Sequence, residues 1–272
     1  MDNRRALQLI QAVSDDSLPM QVEWLSPIIV AMLAAAVASD ASARDRVRER
    51  VSLSPEQQAY SLTCGLQAII EGRYEMPSLT SLQGMTYTRL ARLASPYEVD
   101  ACNAVINDLF HEQLGKNGEE FIRLLSKVVG ELHDNVASHA RGVGFSIAQR
   151  YRRAGGDVIQ FAIVDCGIGM LRNVKKVAPS VTTDERAIDW CLQRGNTTAV
   201  SEVDDWAQRL PDDSLFSPYP ETVRTVAREN HHQGLGLWHL REIVRAAGGS
   251  FWVASGAGQC RYLVGADGLS YD

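Results

Sequence analysis

The spacing of apolar residues predicts a helix-rich first part of the chain. An almost wholly apolar run over 28–39 predicts a buried helix, and Pro27 suits its first turn, where a missing N–H is harmless. Further helical patterns cover 55–70 and 96–114, and a strand is predicted near 21–25. The polar segment 76–84 contains Pro and Gly and therefore predicts a loop or a domain boundary.

The helix predicted after residue 117 carries the most informative pattern. Its apolar residues recur every three or four positions and form one stripe: Phe121, Leu124, Leu125, Val128, Val129, Leu132 and Val136. Glu131 and Asn135 are one turn apart at the edge of this stripe, whereas His133 and Asp134 are predicted to be exposed. A carboxylate and an amide beside a buried face need polar partners, which other core groups or water and a metal ion can supply.

Two hairpins are predicted in the second part. Alternating apolar residues over 144–151 and 157–165 predict the first one, which ends at Asp165. The second hairpin is predicted over 250–264. Between the hairpins, a polar and irregular stretch with short helical patterns leads to a helix that begins near Gly236 and ends at Gly248.

The composition is that of an ordinary folded protein. The chain has 272 residues, of which 45% are hydrophobic and 22% charged, and this excludes a disordered or fibrous protein. The net charge is −6 and the sequence pI is near 5.6. Nonspecific nucleic-acid binding needs many Lys and Arg side chains at phosphates, so a nucleic-acid partner is not expected.

Cysteine usage and hydropathy predict the compartment. The five cysteines include no CxxC pair, which favours free thiols in a reducing compartment. The longest apolar run, 27–38, is too short to span a bilayer, and the first residues show no signal peptide. We therefore expect a cytoplasmic protein without a membrane partner.

Three motifs stand in a fixed order in the second part. Residues 131–139 are Glu-Leu-His-Asp-Asn-Val-Ala-Ser-His on a helix, 164–170 are Val-Asp-Cys-Gly-Ile-Gly-Met at a strand end, and 234–237 are Gly-Leu-Gly-Leu at a helix N-terminus. Together they resemble the N, G1 and G2 boxes of the GHKL superfamily of ATPases, which includes gyrase, a heat-shock chaperone, histidine kinases and mismatch-repair proteins. The resemblance covers about 115–264 and implies a Bergerat-type ATP-binding fold.

The resemblance also implies roles for these residues, with ATP and Mg²⁺ as the ligands. Asn135 would bind the Mg²⁺, Glu131 would position or deprotonate the attacking water, and Asp165 would accept a hydrogen bond from the adenine amino group. The backbone near the base and the phosphates would complete the binding set: Gly167, Gly169, Met170, Gly234, Leu235, Gly236 and Leu237. Taken singly, the motifs also fit a surface Glu–Asn pair, an Asp-x-Gly turn and a glycine-started helix.

The 63 residues between the second and third motifs, 171–233, correspond to the lid of this superfamily. Long irregular segments in compact domains are usually functional. Residues 194–198 resemble a Gly-x-Ser/Thr-Thr piece of some lids, which adds Thr198 to the binding set. A helix C-cap followed by a turn explains the same residues equally well.

The fold class predicted for the whole chain is α/β, an α+β sandwich with a mixed, largely antiparallel sheet backed by helices. We expect a helix-rich or α/β regulatory domain over 1–114 and the ATP-binding domain over 115–272. Residues 21–38 faintly resemble the strand and helix of anti-sigma-factor-antagonist (STAS) domains; a helical extension packed on the ATPase domain is the alternative. The final strand usual in the superfamily is not evident after Val264, so it is either missing or the chain is a fragment.

The leading hypothesis is an ATPase that hydrolyses ATP slowly in bacterial signalling or regulation. One alternative is an ATP-gated interaction module without significant turnover, and another is a serine/threonine protein kinase like the anti-sigma-factor kinases. His111 is too close to Glu131 to serve as the phosphoacceptor of a histidine kinase. The expected partners besides ATP are a protein that contacts 1–114 or the lid, and a second copy of the chain.

Overall fold

The computed structural model describes residues 20–22, 24–73, 85–115, 118–139, 142–153, 156–196, 236–262 and 269–270. They form a mixed α/β structure. The helices are α1 (Pro27–Ser39), α2 (Ala41–Arg50), α3 (Pro55–Cys64), α4 (Leu66–Ile70), α5 (Pro96–Leu114), α6 (Glu119–His139), α7 (Met170–Val177), α8 (Asp184–Cys191) and α9 (Gly236–Ala246). The strands are β1 (Met20–Gln21), β2 (Val51–Ser52), β3 (Ala91–Leu93), β4 (Gly144–Arg153), β5 (Gly156–Asp165), β6 (Phe251–Ser255), β7 (Gly258–Tyr262) and β8 (Leu269–Ser270). Among these residues, no helix combines the length and apolar character needed to cross a bilayer.

The central sheet is antiparallel, with the strand order β3-β4-β5. β4 and β5 form the hairpin that the alternating pattern predicted, and they pair from Gly144 opposite Asp165 to Arg153 opposite Gly156. β3 pairs with the first residues of β4, so that Leu93 also lies opposite Gly144. Successive side chains of a strand point to opposite faces, and each face of this sheet therefore meets a different set of helices.

Helix α1 covers one face of the central sheet. Val30, Leu33 and Ala34 are fully buried and share a core with Phe145 and Ile147 of β4. The same helix also packs on α2 and α4. Burial on several sides is what an apolar helix without a polar face requires, so the prediction of a buried helix over 28–39 is confirmed.

Helices α5 and α6 cover the other face. Ile106 of α5 and Val129 of α6 pack in one core with Leu93 and Ala148 of the sheet. The α5 helix starts where the pattern predicted, because Pro96 occupies its first turn and the Ser95 hydroxyl accepts a hydrogen bond from the Glu98 N–H at 3.3 Å.

The C-terminal part forms a second antiparallel sheet, β6-β7-β8, against which α8 packs. The predicted second hairpin is present and turns at Gly256 and Ala257. A short strand does follow it, since Leu269 pairs with Tyr262 and Ser270 with Arg261. β8, with two residues, therefore lies where no strand was evident from the sequence.

The predicted orientation of α6 is corrected in two respects. His133 is fully buried rather than exposed, and Leu124, which was assigned to the buried stripe, is 38% exposed. His133 follows Val129 by four residues and precedes Val136 by three, so helical geometry places all three on one face. Because an imidazole is polar, His133 was not counted in the apolar spacing that predicted the buried face of α6.

One predicted helix is two helices in the structure. The pattern over 55–70 is interrupted at Gly65, which adopts a left-handed conformation with φ of 92° between α3 and α4. Glycine reaches this region of backbone conformation at little steric cost, so it ends a helix without any break in the apolar pattern. Helix α7 lies in the stretch that the sequence suggested was irregular.

The division predicted after residue 114 falls between two helices that pack on each other, α5 and α6. β3 precedes this point in the chain and pairs with β4, which follows it. Residues on both sides of the division thus share the central sheet and its two cores. A separate function for 1–114 stays a prediction.

We expect Phe145→Ala to lower the free energy of unfolding by about 3–5 kcal/mol. The ring is fully buried between α1 and the sheet, so its removal leaves a cavity. Val158→Ala is the matched control on the same hairpin, because Val158 is 39% exposed and should lose less than about 1 kcal/mol. Chemical denaturation measures both, and equal losses would contradict this placement of the core.

Candidate functional site

Glu131 and Asn135 lie one turn apart on α6, and both are half-buried. The Glu131 side chain is only 12% exposed, and one of its carboxylate oxygens is 4.0 Å from the Lys127 ammonium. Helix α9, which begins with the third motif, packs against α6. The structure therefore brings the first and third motifs onto neighbouring helices.

Gly144 is the point where α6 meets the strand end that carries Asp165. A Cβ added at Gly144 would overlap Cγ1 of Val136, the residue after Asn135, and would lie 3.5 Å from Cβ of Asp165. Gly144 is also the residue opposite Asp165 in the sheet. Only glycine allows this approach of helix and strand, which brings the first and second motifs together.

Asp165 is exposed at the end of β5, where its Oδ1 accepts a hydrogen bond from the Gly167 N–H at 2.8 Å. This side chain-to-backbone turn is the simple Asp-x-Gly turn that the motif alone allowed. A carboxylate has a second oxygen, so the turn does not use up its capacity as an acceptor. Gly169 follows with φ of 74°, and α7 begins at Met170.

Helix α1 holds the glycine-rich segment 166–169 from the side of the first core. The Cys166 thiol donates to the Ala35 carbonyl of α1 at 3.0 Å. Burial, and to a smaller extent the neighbouring Asp165 carboxylate, raise the pKa of this thiol. Cys166 thus serves as a half-buried hydrogen-bond donor beside the candidate adenine-binding aspartate.

The second and third motifs meet in a small apolar core. Met170 and Leu237, the last residues of these motifs, pack against one cluster formed by Ile188, Leu192 and Cys260. The two motifs are more than sixty residues apart in the chain, and Ile188 of α8 belongs to the core that both contact.

Within the predicted lid, α8 ends at Cys191 with Leu192 as its C-cap, and a turn follows at Arg194 and Gly195. Gly195 adopts a left-handed conformation with φ of 83°, and the Asn196 side-chain amide donates to the Trp190 carbonyl at 2.8 Å. The alternative of a helix C-cap followed by a turn therefore fits the described residues of this stretch, 192–196. The Arg194 guanidinium also lies 5.2 Å from the centre of the Trp238 ring, a cation–π contact with α9. Three candidate residues lie outside the described part of the chain: Thr198, Gly234 and Leu235.

A buried hydrogen-bond network fixes the rotation of α6. His133 Nδ1 is 2.6 Å from Asn103 Oδ1 of α5, and its Nε2 is 2.8 Å from the Ser146 hydroxyl of β4. Burial lowers the pKa of His133 to about 4, so the imidazole is neutral near pH 7. A neutral imidazole has one donor and one acceptor, and this pairing satisfies both when Nδ1 donates and Nε2 accepts.

This network determines where Glu131 and Asn135 point. With 3.6 residues per turn, Glu131 and Asn135 each lie about 160° around the helix axis from His133. Both are therefore on the side of the helix opposite to His133. Because His133 faces α5 and β4, the two candidate side chains face away from the central sheet. The apolar pattern identified neither His133 nor Gly144 as a determinant of the site. One signal for Gly144 was available in the sequence: it is a glycine at the first position of the strand that follows the helix of the first motif.

Asn135 and Glu131 offer the oxygen donors that Mg²⁺ prefers. The part of the chain that the structure describes contains no group of three or more His, Cys, Asp or Glu side chains able to hold a metal ion. Mg²⁺ needs only one or two protein oxygens, since it keeps several waters and binds substrate phosphates. The amide oxygen of Asn135, with Glu131 one turn away, fits that requirement.

The chain matches no protein-family model, no curated protein and no solved structure. The GHKL assignment therefore stays a prediction, which depends on the three motifs and on the way the fold brings their elements together.

We expect His133 to make stability depend on pH. Its pKa of about 4 in the folded protein is below the ordinary value of 6.5, so the unfolded chain binds the proton more readily. The stabilisation due to neutral His133 is complete above pH 6.5 and is lost as the pH falls towards 4. His133→Gln should lower stability at pH 7, and its deficit relative to wild type should shrink by about 2–3 kcal/mol at pH 4.5.

Urea denaturation at the two pH values measures this difference. His111→Gln is the control, because it makes the same substitution at an exposed position of α5. A His133→Gln deficit that is the same at both pH values would contradict a neutral buried imidazole.

Proposed function

We propose that this protein is a cytoplasmic ATPase of the Bergerat type, which binds ATP with Mg²⁺ where α6, the end of β5 and the start of α9 come together, and hydrolyses it slowly. Regulation or signalling through a protein partner at 1–114 or at the predicted lid belongs to the same proposal. One observation carries it: three motifs from distant parts of the chain converge. Gly144 joins the first motif to the second, α9 packs on α6, and Met170 and Leu237 share one core.

Convergence is informative because the simpler explanations do not require it. A surface Glu–Asn pair, an Asp-x-Gly turn and a glycine-started helix can each occur anywhere in a fold. In this protein the turn at Asp165 is present, yet it adjoins the helix that carries Asn135 through the glycine contact at Gly144. A nucleotide site requires this kind of proximity, since one ligand must contact all three motifs.

The adenine and phosphate ends of the proposed site fall on different elements. Asp165 is exposed and offers a carboxylate acceptor to the adenine amino group. Helix α9 has no acidic residue in its first turn, so the positive end of its dipole and its free N–H groups favour phosphates. Asn135, on the neighbouring helix, would hold a Mg²⁺ ion, which neutralises phosphate charge when bound.

Glu131 is the candidate catalytic base. It lies one turn before Asn135 on the same side of α6, and its half-buried carboxylate faces away from the central sheet. A carboxylate in that position can orient a water molecule and accept its proton during attack on the γ-phosphate. Asn135 then acts mainly in binding, and Glu131 mainly in turnover.

We expect Asp165→Asn to weaken ATP binding about ten- to hundredfold. Asparagine keeps one oxygen that can accept from the Gly167 N–H, so the turn is preserved, but a donor replaces the second acceptor. Losing a hydrogen bond to a charged acceptor costs about 1.5–3 kcal/mol. Isothermal titration calorimetry measures the affinity.

Asp108→Asn is the matched control, because Asp108 is exposed on α5 and should leave the affinity unchanged. An unchanged ATP affinity in a folded Asp165→Asn protein would remove Asp165 from the adenine site.

We expect Glu131→Ala to lose about 10²–10⁴-fold in ATP hydrolysis while binding Mg²⁺–ATP about as well as wild type, because a positioned base acts on the water rather than on the nucleotide. Asn135→Ala should instead weaken Mg²⁺–ATP binding and reduce its dependence on Mg²⁺. A steady-state phosphate-release assay and a nucleotide titration on both variants separate the two effects.

Glu120→Ala is the control on the same helix, since this exposed glutamate pairs with Arg123 away from the site. If the wild-type protein binds ATP but hydrolyses it only at the background rate, the protein is an ATP-gated interaction module rather than an ATPase. Wild-type hydrolysis by Glu131→Ala would exclude Glu131 as the base.

A further inference from the structure

Ser255, the last residue of β6, contacts the start of α7. Its hydroxyl oxygen accepts a hydrogen bond from the Met170 N–H at 2.8 Å. A Cβ added at Gly169 would lie 3.3 Å from the same oxygen. Ser255 thus touches two consecutive residues of the second motif, although it is 85 residues further along the chain.

The turn after Ser255 is itself held by contacts with the start of α8. The Ala257 N–H donates to Asp184 Oδ2 at 3.0 Å, where Asp184 is the first residue of α8. A Cβ at Gly256 would overlap the Asp184 carboxylate, and one at Gly258 would lie 2.6 Å from the Glu185 backbone nitrogen. The two glycines let the hairpin turn fit closely against the N-terminus of α8.

The apolar core behind this turn makes the contact rigid. Cys260 of β7 is buried with Ile188 of α8 and with Leu192, which directly follows α8, and Met170 packs against the same cluster. The start of α7 and the hairpin are therefore joined by a polar contact and by an apolar one.

The glycine-rich segment 166–169 needs such an external anchor. Gly167 and Gly169 have no side chains to pack, and glycine has the largest conformational freedom of any residue. The Cys166 thiol holds one end of the segment to α1, and Ser255 holds the other end at Met170. The position of the backbone beside Asp165 depends on both contacts.

We propose that Ser255 is a positioning residue for the adenine end of the candidate nucleotide site, with Asp184 holding the turn that carries it; this inference rests on the proposed function. The Ser255 hydroxyl sets the path of 166–169 and therefore the place of the Asp165 carboxylate relative to the base. It acts through the backbone of 166–169. Its loss should reduce discrimination between adenine and guanine more than it reduces binding of the triphosphate.

The test compares full-length Ser255→Ala, Ser255→Thr and Ser250→Ala proteins. Calorimetric titration with Mg²⁺–ATP and Mg²⁺–GTP gives the affinity ratio of the two nucleotides. We expect Ser255→Ala to lower ATP affinity by up to about tenfold, as for the loss of one hydrogen bond, with GTP affinity nearly unchanged. Ser255→Thr keeps the hydroxyl and should restore the ratio, and exposed Ser250 on the same hairpin serves as the control.

Hydrogen exchange of the Met170 amide, measured without nucleotide, reports the contact itself. Exchange should be faster in Ser255→Ala and unchanged in Ser250→Ala. Faster exchange with a wild-type ATP-to-GTP ratio would overturn the positioning role, because the hydrogen bond would then be only structural. A wild-type protein that binds neither nucleotide would refute the proposed function and the role of Ser255 with it, whereas wild-type binding with an unaffected variant would refute Ser255 alone.

If the Ser255→Ala protein fails to fold, a second pair of variants at Asp184 tests the same proposal. Asp184→Asn retains an oxygen that can accept from the Ala257 N–H, whereas Asp184→Ala does not. The proposal expects a reduced ATP-to-GTP ratio in Asp184→Ala and a ratio close to wild type in Asp184→Asn. A wild-type ratio in a folded Asp184→Ala protein would count against the hairpin as the anchor of the segment.

Discussion

The close approach of α6 to the first residue of β4 is the constraint on which the candidate site depends. Any side chain at Gly144 would push Val136 away, and with it the last turn of the helix that carries Asn135. The same glycine lies opposite Asp165 in the sheet. The missing side chain at Gly144 therefore allows the close approach of the two elements that carry the proposed metal-binding amide and the proposed adenine-binding carboxylate.

The contact at Gly144 allows the close approach of α6 to the sheet but does not set its rotation about its own axis. The buried His133 network fixes that rotation. Apolar contacts such as those of Val129 tolerate a small rotation of α6, whereas hydrogen bonds to Asn103 and Ser146 tolerate much less. Since those two partners belong to α5 and β4, the network ties α6 to both neighbours. Glu131 and Asn135 are then directed away from the sheet by the geometry of the helix.

Elements with strong local patterns were predicted from the sequence, and elements that depend on distant partners were not. The apolar run of α1 and the alternation of β4 and β5 correspond to structure because burial of their own side chains determines them. The break at Gly65 and the burial of His133 escaped prediction, since one depends on a backbone conformation and the other on partners thirty and thirteen residues away. Within the candidate site, residue types were predicted, while the contacts that orient them were not.

The glycine-rich segment shows why the site cannot be assigned to the second half of the chain alone. Its first residue, Cys166, is bonded to Ala35 in α1, and its far end is bonded to Ser255 in the C-terminal hairpin. A segment of this kind has little stiffness of its own, so these two contacts contribute to its position together with the hydrogen bond from the Cys166 N–H to the Val143 carbonyl. A displacement of α1 or of the hairpin would therefore reach the backbone beside Asp165 directly, through hydrogen bonds of 3.0 and 2.8 Å.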